Sequence, residues 1–385
     1  MTALRLALAV FCFAALALPA QGQPPPGRVG SFMAEAGPVA MYRVADRLDR
    51  PWGMTFLTDG RMLVTERPGR LRIVDGSGEM PATVSGTPTV YAQGQGGLLD
   101  VALDPDFAET GYVYLSYARP GPRGTAATAL GRGRLVDDAL EDFEVLFTQE
   151  PYESGSAHFG SRIAFSPDGA YLFLAMGERF KFDPAQDLGS HLGTIIRIRP
   201  DGSIPDDNPF VGRDGAQPEI WSYGHRNIES AAFDPATGEL YVVEMGPLGG
   251  DELNRIERGA NYGWPEVSWG IDYDGEDIPD PTTRPEFEDA VTWWSPVIAP
   301  SGMAYYDGDA FPAWQGNALV GSLKRQGLVR LAMADGEVVE EEVLPMGRRI
   351  REVEVGPDGF IYVLTDQANG DVLRLEPIEI TQPED

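Results

Sequence analysis

Apolar and polar residues alternate along much of this chain, in short runs separated by turn-forming residues. The clearest example covers residues 163–176, where two alternating runs flank the sequence Ser-Pro-Asp-Gly. Because successive side chains of a strand point to opposite faces, this pattern predicts a strand, a tight turn and a second strand. No long segment repeats its apolar residues every 3.6 positions, so we expect few helices.

The same hairpin pattern occurs six times along the chain. The copies begin at Met54, Val101, Ile163, Ala231, Met303 and Val353. Successive copies start roughly 50 to 70 residues apart, a spacing that exceeds one hairpin and accommodates a four-stranded blade with its loops. The pattern therefore predicts an all-β fold, a six-bladed β-propeller. An irregular pair of β-sandwiches is the alternative that the pattern leaves open.

The two ends of the chain differ from this pattern. Residues 1–20 contain Arg5, a short apolar run and then small residues, which is typical of a secretory signal peptide. The run is too short to cross a bilayer comfortably, although a retained membrane anchor stays an alternative. We therefore expect a periplasmic or secreted protein with no membrane insertion after signal removal. The remaining segments are interpreted as a flexible linker (21–40), a single propeller domain (41–378) and a C-terminal tail (379–385).

Charge and cysteine content exclude several classes of function. The chain has 30 Lys and Arg against 59 Asp and Glu, a formal net charge of −29, which disfavours binding to nucleic acid or anionic lipid. Its single cysteine, Cys12, lies in the predicted signal peptide. The mature chain would therefore lack disulfides, thiolate metal sites and cysteine nucleophiles. We expect its fold to be held by packing, by metal ions such as calcium, or by both.

His158 is one of three histidines and lies on a Gly/Ser-rich segment just before the third hairpin. A loop beside a rigid strand holds a side chain in place, and histidine titrates near neutral pH, so this position suits a general base. A loop histidine without chemistry is the other interpretation.

Four further polar clusters lie next to the predicted hairpins, where a propeller brings loops from several blades together. A Gly-rich run contains Gln95, and a later loop places Arg226 beside Asn227, which suits an oxyanion or a quinone oxygen. Residues 244–265 combine carboxylates with Gly/Pro-rich turns, whose oxygens calcium prefers. The fourth cluster is basic and could bind a polyanionic small molecule. It consists of Lys324, Arg325, Arg348, Arg349 and Arg351, of which Arg349 and Arg351 should point the same way.

Together these motifs resemble the soluble aldose sugar dehydrogenases that depend on pyrroloquinoline quinone (PQQ). The resemblance covers about Leu48 to Leu375 and rests on GQGGLLDVALDPDF, HFGSRIAFSPDG, GHRN, EMGPLGGDELNRI with GANYGWP, SLKRQGLVRL and RRIREVEVGPDG. It implies an exported six-bladed propeller that oxidises aldoses at the anomeric carbon to lactones, with hydride transfer to C5 of the quinone. Ala157 stands where soluble glucose dehydrogenase has an acidic residue, so the resemblance does not define the preferred sugar.

The resemblance also implies roles for individual residues. His158 would remove the hydroxyl proton, with Arg226 as a second catalytic residue. The expected cofactor contacts are Gln95, Arg226, Asn227, Tyr273, Lys324, Arg349 and Arg351. One calcium ion would bind the carbonyls of Gly246 and Pro247 beside the cofactor, and a second, structural calcium would bind Glu252 and Tyr262.

Two other classes of function stay open at this stage. A calcium-dependent lactonase propeller would use metal-bound water with carboxylate or Asn ligands on the channel axis, and would need no arginine cluster. A cofactor-free sugar-binding propeller would keep the fold without the chemistry. For the dehydrogenase, the expected partners are an aldose and an unidentified electron acceptor, either a quinone or a cytochrome. The chain is expected to be a monomer or a homodimer.

Overall fold

The computed structural model describes residues 27–77 and 81–379, and most of its regular structure is β-strand. The described chain begins with β1 (Arg28–Ala34) and β2 (Gly37–Leu48). Five four-stranded antiparallel sheets follow, named blades 1 to 5 in chain order. Blade 1 contains β3 (Pro51–Phe56), β4 (Met62–Glu66), β5 (Arg70–Val74) and β6 (Ala82–Val84). Blade 2 contains β7 (Leu98–Leu103), β8 (Tyr112–Pro120), β9 (Ala126–Val136) and β10 (Ala139–Thr148).

The next three blades have the same organisation. Blade 3 contains β11 (Gly160–Phe165), β12 (Leu172–Met176), β13 (Thr194–Ile198) and β14 (Ile220–Tyr223). Blade 4 contains β15 (Ile228–Phe233), β16 (Leu240–Glu244), β18 (Asp251–Arg255) and β20 (Thr292–Trp294), while β17 (Leu248–Gly249) and β19 (Gly270–Ile271) form a separate two-stranded sheet. Blade 5 contains β21 (Pro300–Tyr305), β22 (Ala318–Ser322), β23 (Gly327–Ala334) and β24 (Glu337–Pro345).

Blade 6 joins both ends of the described chain in one sheet. Its strands β25 (Ile350–Val355), β26 (Ile361–Thr365) and β27 (Gly370–Pro377) pair in sequence, and β27 then pairs with β2, which pairs with β1. The flexible linker expected over residues 21–40 is therefore wrong from Arg28 onward. Alternate side chains of β1, including Phe32 and Ala34, are buried in the apolar cluster between blades 5 and 6, a pattern that the Pro- and Gly-rich composition concealed. Residues 21–26 and the predicted signal peptide lie outside the described residues.

The six predicted hairpins and the six-bladed propeller are confirmed. Each hairpin forms the first two strands of a blade, and the innermost strands β3, β7, β11, β15, β21 and β25 each contact their two neighbours around a ring. In the described residues, helix is limited to α1 (Phe107–Thr110) and to one-turn 3-10 segments at Pro122–Gly124, Asp183–Gln186, Pro281–Thr283 and Pro312–Trp314. None of these is long and apolar enough to cross a membrane.

Apolar clusters lie between neighbouring blades and hold them against one another. Between blades 2 and 3, for example, Tyr114 and Leu130 pack with Leu172 and Leu174, and all four are buried. Comparable clusters lie at the other five blade contacts of the described ring. Because these interfaces are tightly packed, they fix the loops that meet at the mouth of the central channel.

Candidate active site

A cavity of about 360 Å³ lies in the central channel, at the end where the innermost strands begin. Every blade contributes to its wall, through Trp52, Leu99, Gly160, Glu229, Ala299 and Arg351. Its volume lies within the range of small-molecule sites. The ring closure therefore brings together polar groups that are hundreds of residues apart in the sequence.

The far side of this cavity is closed by a buried ion cluster. The guanidinium of Arg162 lies 4.0 Å from the ring centre of Trp52, and it pairs with Asp100 and Glu352. Burial raises the pKa of Glu352 to about 7, although Arg162 opposes this shift. Beyond the cluster, a second cavity continues along the channel. The first cavity is thus open toward the loops at the strand beginnings, where the predicted site residues lie.

Three predicted residues line the cavity directly: Gln95, Arg349 and Arg351. Arg349 Nε donates to Asp366 over 2.9 Å and Arg351 Nη2 donates to the same carboxylate over 3.1 Å, which confirms that the two arginines point the same way. Arg351 Nη1 also donates to Glu229 over 3.0 Å. Burial raises the pKa of Asp366, but the two arginines outweigh burial and hold this pKa below its usual value. These two cations are therefore matched by two carboxylates, Asp366 and Glu229, and any excess of positive charge comes from other residues.

Sequence reasoning missed a further cation, Arg67, which follows β4 and lines the same cavity. Its guanidinium donates to the carbonyls of Gly94 and Gly96, so it holds the loop that carries Gln95. Burial lowers the pKa of Arg67, and the nearby Arg351 lowers it further. A basic residue directly after a hairpin was also the signal that identified Lys324, and this signal could have identified Arg67.

The remaining predicted cofactor residues lie close to the cavity without forming its wall. Asn227 donates to Glu229 over 2.7 Å and accepts from the Gly160 N–H over 3.2 Å, and both partners are lining residues. Lys324 is exposed and follows the lining residue Leu323. The structure thus places all of these groups around one opening.

His158 is buried beside the cavity, with only 5% of its surface exposed. Its backbone N–H donates to Gln95 Oε1 over 2.6 Å, and its Nδ1 lies 2.5 Å from Oε1 of Glu178, which sequence reasoning missed. This pairing favours a proton on Nδ1 and leaves Nε2 as an acceptor. Burial lowers the pKa of His158, although Glu178 raises it, and the net lowering favours the neutral ring. A neutral, oriented imidazole is able to accept a proton.

The other two histidines have partners within the blades. His191 Nε2 lies 3.0 Å from Glu219. His225 bonds Ser222 and Glu244, and its ring stacks on Tyr262 at 4.5 Å. Both ring nitrogens of His225 are bonded, and so are those of His191, whose Nδ1 accepts from the Glu150 N–H. Among the described residues, His158 is bonded through Nδ1 alone and is therefore the candidate base.

Arg226 has an unsatisfied donor. Its Nη1 donates to the Met245 carbonyl over 2.8 Å, and its Nη2 donates to the Tyr273 hydroxyl over 2.9 Å. Its Nε, however, is buried without a hydrogen-bond partner among the described residues. An unpaired buried donor is costly, so an oxygen supplied by a bound molecule would stabilise this arrangement. The residues around the cavity therefore fit an oxygen-rich anionic cofactor.

Three of the four predicted calcium residues, which were expected to bind two different ions, lie together next to Arg226. Gly246, Glu252 and Tyr262 line one small cavity of about 10 Å³, close to the space of a single water-sized particle. A Cβ at Gly246 would lie 2.2 Å from the Gly250 carbonyl oxygen and 2.3 Å from that of Gly249, so only glycine fits there. The described residues contain no group of three or more His, Cys, Asp or Glu side chains placed to hold a metal. A cation here would therefore need backbone carbonyls in addition to side-chain oxygens, and calcium accepts such ligands.

Glu252 belongs to the second, structural calcium site that the resemblance implies. It lies opposite Glu244 in the pairing of β16 with β18, and Asn254 Nδ2 donates to both carboxylates. Burial raises the pKa of Glu252 well above its usual value, and the neighbouring Glu244 adds to this. Asn254 Oδ1 is buried without a partner among the described residues. Two close carboxylates and an unpaired amide oxygen fit a bound cation. The Tyr262 hydroxyl is already bonded to Arg255 and Glu257, which leaves its main-chain carbonyl as the available ligand.

The chain is thus a six-bladed propeller. The mouth of its central channel holds a histidine hydrogen-bonded to a carboxylate, beside an arginine-lined cavity. Residues 48–374 match the family model described as glucose/sorbosone dehydrogenase, and the chain belongs to this family. It is 44% identical to the aldose sugar dehydrogenase YliI of Escherichia coli (strain K12) over 341 residues, which are 86% of this chain and 91% of that protein.

Solved structures show the same likeness. The soluble aldose sugar dehydrogenase of Escherichia coli in its apo form is 43% identical with a TM-score of 0.83, over 88% of this chain and 100% of that one. The PQQ-bound aldose sugar dehydrogenase of Streptomyces coelicolor is 28% identical with a TM-score of 0.71, over 88% of this chain and 98% of that one.

Proposed function

We propose that this protein is an exported quinoprotein that oxidises aldoses at the anomeric carbon to lactones. The observation that carries this proposal is the position of His158, buried and bonded to Glu178 beside an arginine-lined cavity. The PQQ-bound relative supports the choice of cofactor. When bound, PQQ supplies an acceptor for the hydrogen that leaves the anomeric carbon with its electron pair.

The cavity wall would hold the cofactor through its carboxylates. Arg349 and Arg351 would bind them as fork-shaped donors, with Arg67 and Lys324 adding positive charge nearby. Gln95 and Asn227 supply neutral hydrogen bonds at the same opening, and Tyr273 supplies an aromatic face above Arg226. The Nε of Arg226 would donate to a cofactor oxygen, which satisfies its unpaired hydrogen.

His158 would act as the general base. Its Nε2 would take the proton of the anomeric hydroxyl while Glu178 holds the ring through Nδ1 and stabilises the positive charge that forms. Arg226 would stabilise negative charge that develops on the cofactor oxygen to which its Nε donates. Loss of the hydroxyl proton and of the anomeric hydrogen with its electron pair together convert the aldose to its lactone.

Calcium would have two roles. Bound at the carbonyls of Gly246 and Pro247, it would supply a Lewis acid beside the cofactor. Bound by Glu252 and the carbonyl of Tyr262, it would neutralise the paired carboxylates of β16 and β18 and stabilise blade 4. Export rests on the signal-like residues 1–20, and reoxidation would require an external acceptor, either a quinone or a cytochrome.

Reconstitution tests the proposal. The purified protein should form lactone from aldoses only when both PQQ and calcium are added with an electron acceptor. Equal aldose oxidation without PQQ would contradict the proposal. Hydrolysis of lactones with calcium alone would favour the lactonase alternative instead.

A further inference from the structure

Residues 178–182, which follow β12, have an unusual backbone. Arg179, Phe180 and Phe182 have φ angles of 61°, 60° and 66°, in the left-handed region that favours glycine. Phe180 is also 44% exposed, so burial of its ring does not offset this conformation. A conformation that is disfavoured locally is kept only when the surroundings impose it, and such positions concentrate at functional sites.

The surroundings of this segment hold it firmly. Glu178 Oε2 accepts from the N–H of Phe182 over 2.8 Å, while its Oε1 bonds His158. The Arg179 side chain is buried and donates to the carbonyls of Ala157 and Gly155 over 3.0 and 2.7 Å. The carboxylate that orients the candidate base therefore also fixes the segment that carries Phe180.

The fixed segment places the Phe180 ring directly beside the base. Its centre lies 4.9 Å from that of the His158 imidazole, edge to face, and 6.1 Å from that of Tyr273. Tyr273 is 51% exposed and is held by Arg226 through its hydroxyl. Two partly exposed aromatic rings thus lie at the opening of the site, next to the group that would take the proton.

We propose that Phe180 is a specificity-determining residue that forms the apolar wall of the sugar site. A pyranose has polar edges and apolar C–H faces, and an exposed aromatic ring binds such a face well. A sugar whose anomeric hydroxyl reaches Nε2 of His158 would have its ring beside Phe180. The inference rests on the proposed function, because it requires the aldose of that reaction to bind beside Phe180.

The test uses the PQQ- and calcium-loaded enzyme with glucose and other aldoses as probes. Phe180→Gly should raise KM about three- to tenfold, the factor that loss of one aromatic contact produces. Its kcat, its PQQ affinity and its Tm should stay near wild type, because glycine adopts this φ without strain. Phe180→Trp should keep KM near the wild-type value. Arg123→Gly is the matched control, an exposed left-handed position outside the cavity, and should change none of these quantities.

The other outcomes separate a failure of this inference from a failure of the proposed function. Wild-type enzyme that oxidises aldoses, with an unchanged KM in Phe180→Gly, would overturn the inference alone. A lower kcat and a shifted pH profile at constant KM would also overturn it, because Phe180 would then act by shielding His158 from water. Wild-type enzyme that binds PQQ but oxidises no aldose would overturn the proposed function, and the inference with it.

Discussion

At the scale of single residues, the proposed chemistry depends on the pairing of His158 with Glu178. The two residues are separated by the hairpin of β11 and β12, and the hairpin brings the carboxylate to Nδ1. Burial lowers the pKa of His158 while Glu178 raises it. A proposed base must be neutral to accept a proton, so activity should be lost as pH falls through this lowered pKa, at a pH below the ordinary histidine value of about 6.5.

Replacing Glu178 with glutamine tests this pairing. The substitution removes the negative charge that raises the His158 pKa, so the acid limb of the pH–rate profile should move to lower pH. Turnover at neutral pH should fall by roughly tenfold or more, because the ring loses its orientation and its stabilised charged form. Glu219→Gln, which removes the carboxylate bonded to His191, is the control and should leave the profile unchanged. A wild-type profile in Glu178→Gln would contradict the role of the pair.

At the scale of elements, the start of β25 carries two arginines of the cavity wall, and β18 carries the carboxylate of the proposed calcium site. Arg349, directly before β25, and Arg351, on β25, are two positions apart and both reach the cavity, where they share Asp366. Arg348 bonds Asp371 instead and is absent from the cavity wall. Neighbouring residues of one short segment therefore have separate roles, which makes them suitable for a matched comparison.

The two arginines at the start of β25, Arg349 and Arg351, should control cofactor affinity. Replacing both Arg349 and Arg351 with alanine should weaken PQQ binding by about 1.5–3 kcal/mol for each charged hydrogen bond that is lost. A fluorescence or absorbance titration with PQQ measures this directly. Arg348→Ala should bind PQQ like the wild-type protein. Equal affinity in all three proteins would show that these arginines do not hold the cofactor.

The carboxylate of β18 should control the response to calcium. A ligand that binds only the folded state at one hundred times its Kd stabilises that state by about 2.7 kcal/mol, so chelation should lower the Tm of the wild-type protein. Glu252→Gln should remove most of this sensitivity. Glu276→Gln, which changes an exposed acidic residue in the loop between β19 and β20, should keep the sensitivity to chelation.

The pH dependence gives a second view of Glu252. Its pKa is raised in the folded state, so without calcium its ionisation destabilises the fold as pH rises through that pKa. Calcium-free Glu252→Gln should therefore be at least as stable as calcium-free wild type at neutral pH. An unchanged chelator response in this variant would make Glu252 an ordinary buried acid.

At the scale of the whole molecule, local sequence patterns predicted the hairpins, whereas the contacts that form only when the ring of blades closes were not predicted. The six hairpins follow from alternation and turn residues within about twenty positions, so the blades and their number could be predicted. The pairing of β2 with β27 joins segments more than three hundred residues apart, and no local pattern indicates it. The partners Glu178, Glu229 and Asp366 were missed for the same reason, since only the folded chain brings them to His158 and the arginines.

The most direct test of the account is single-turnover sugar oxidation by wild type and His158→Gln. Both proteins are loaded with PQQ and calcium, checked for equal Tm and PQQ affinity, and mixed rapidly with glucose while quinone absorbance is followed. If His158 is the base, the variant should reduce bound quinone at least about a hundredfold more slowly, the lower limit of a typical general-base contribution. Quinone reduction by His158→Gln at a rate near wild type would contradict the claim.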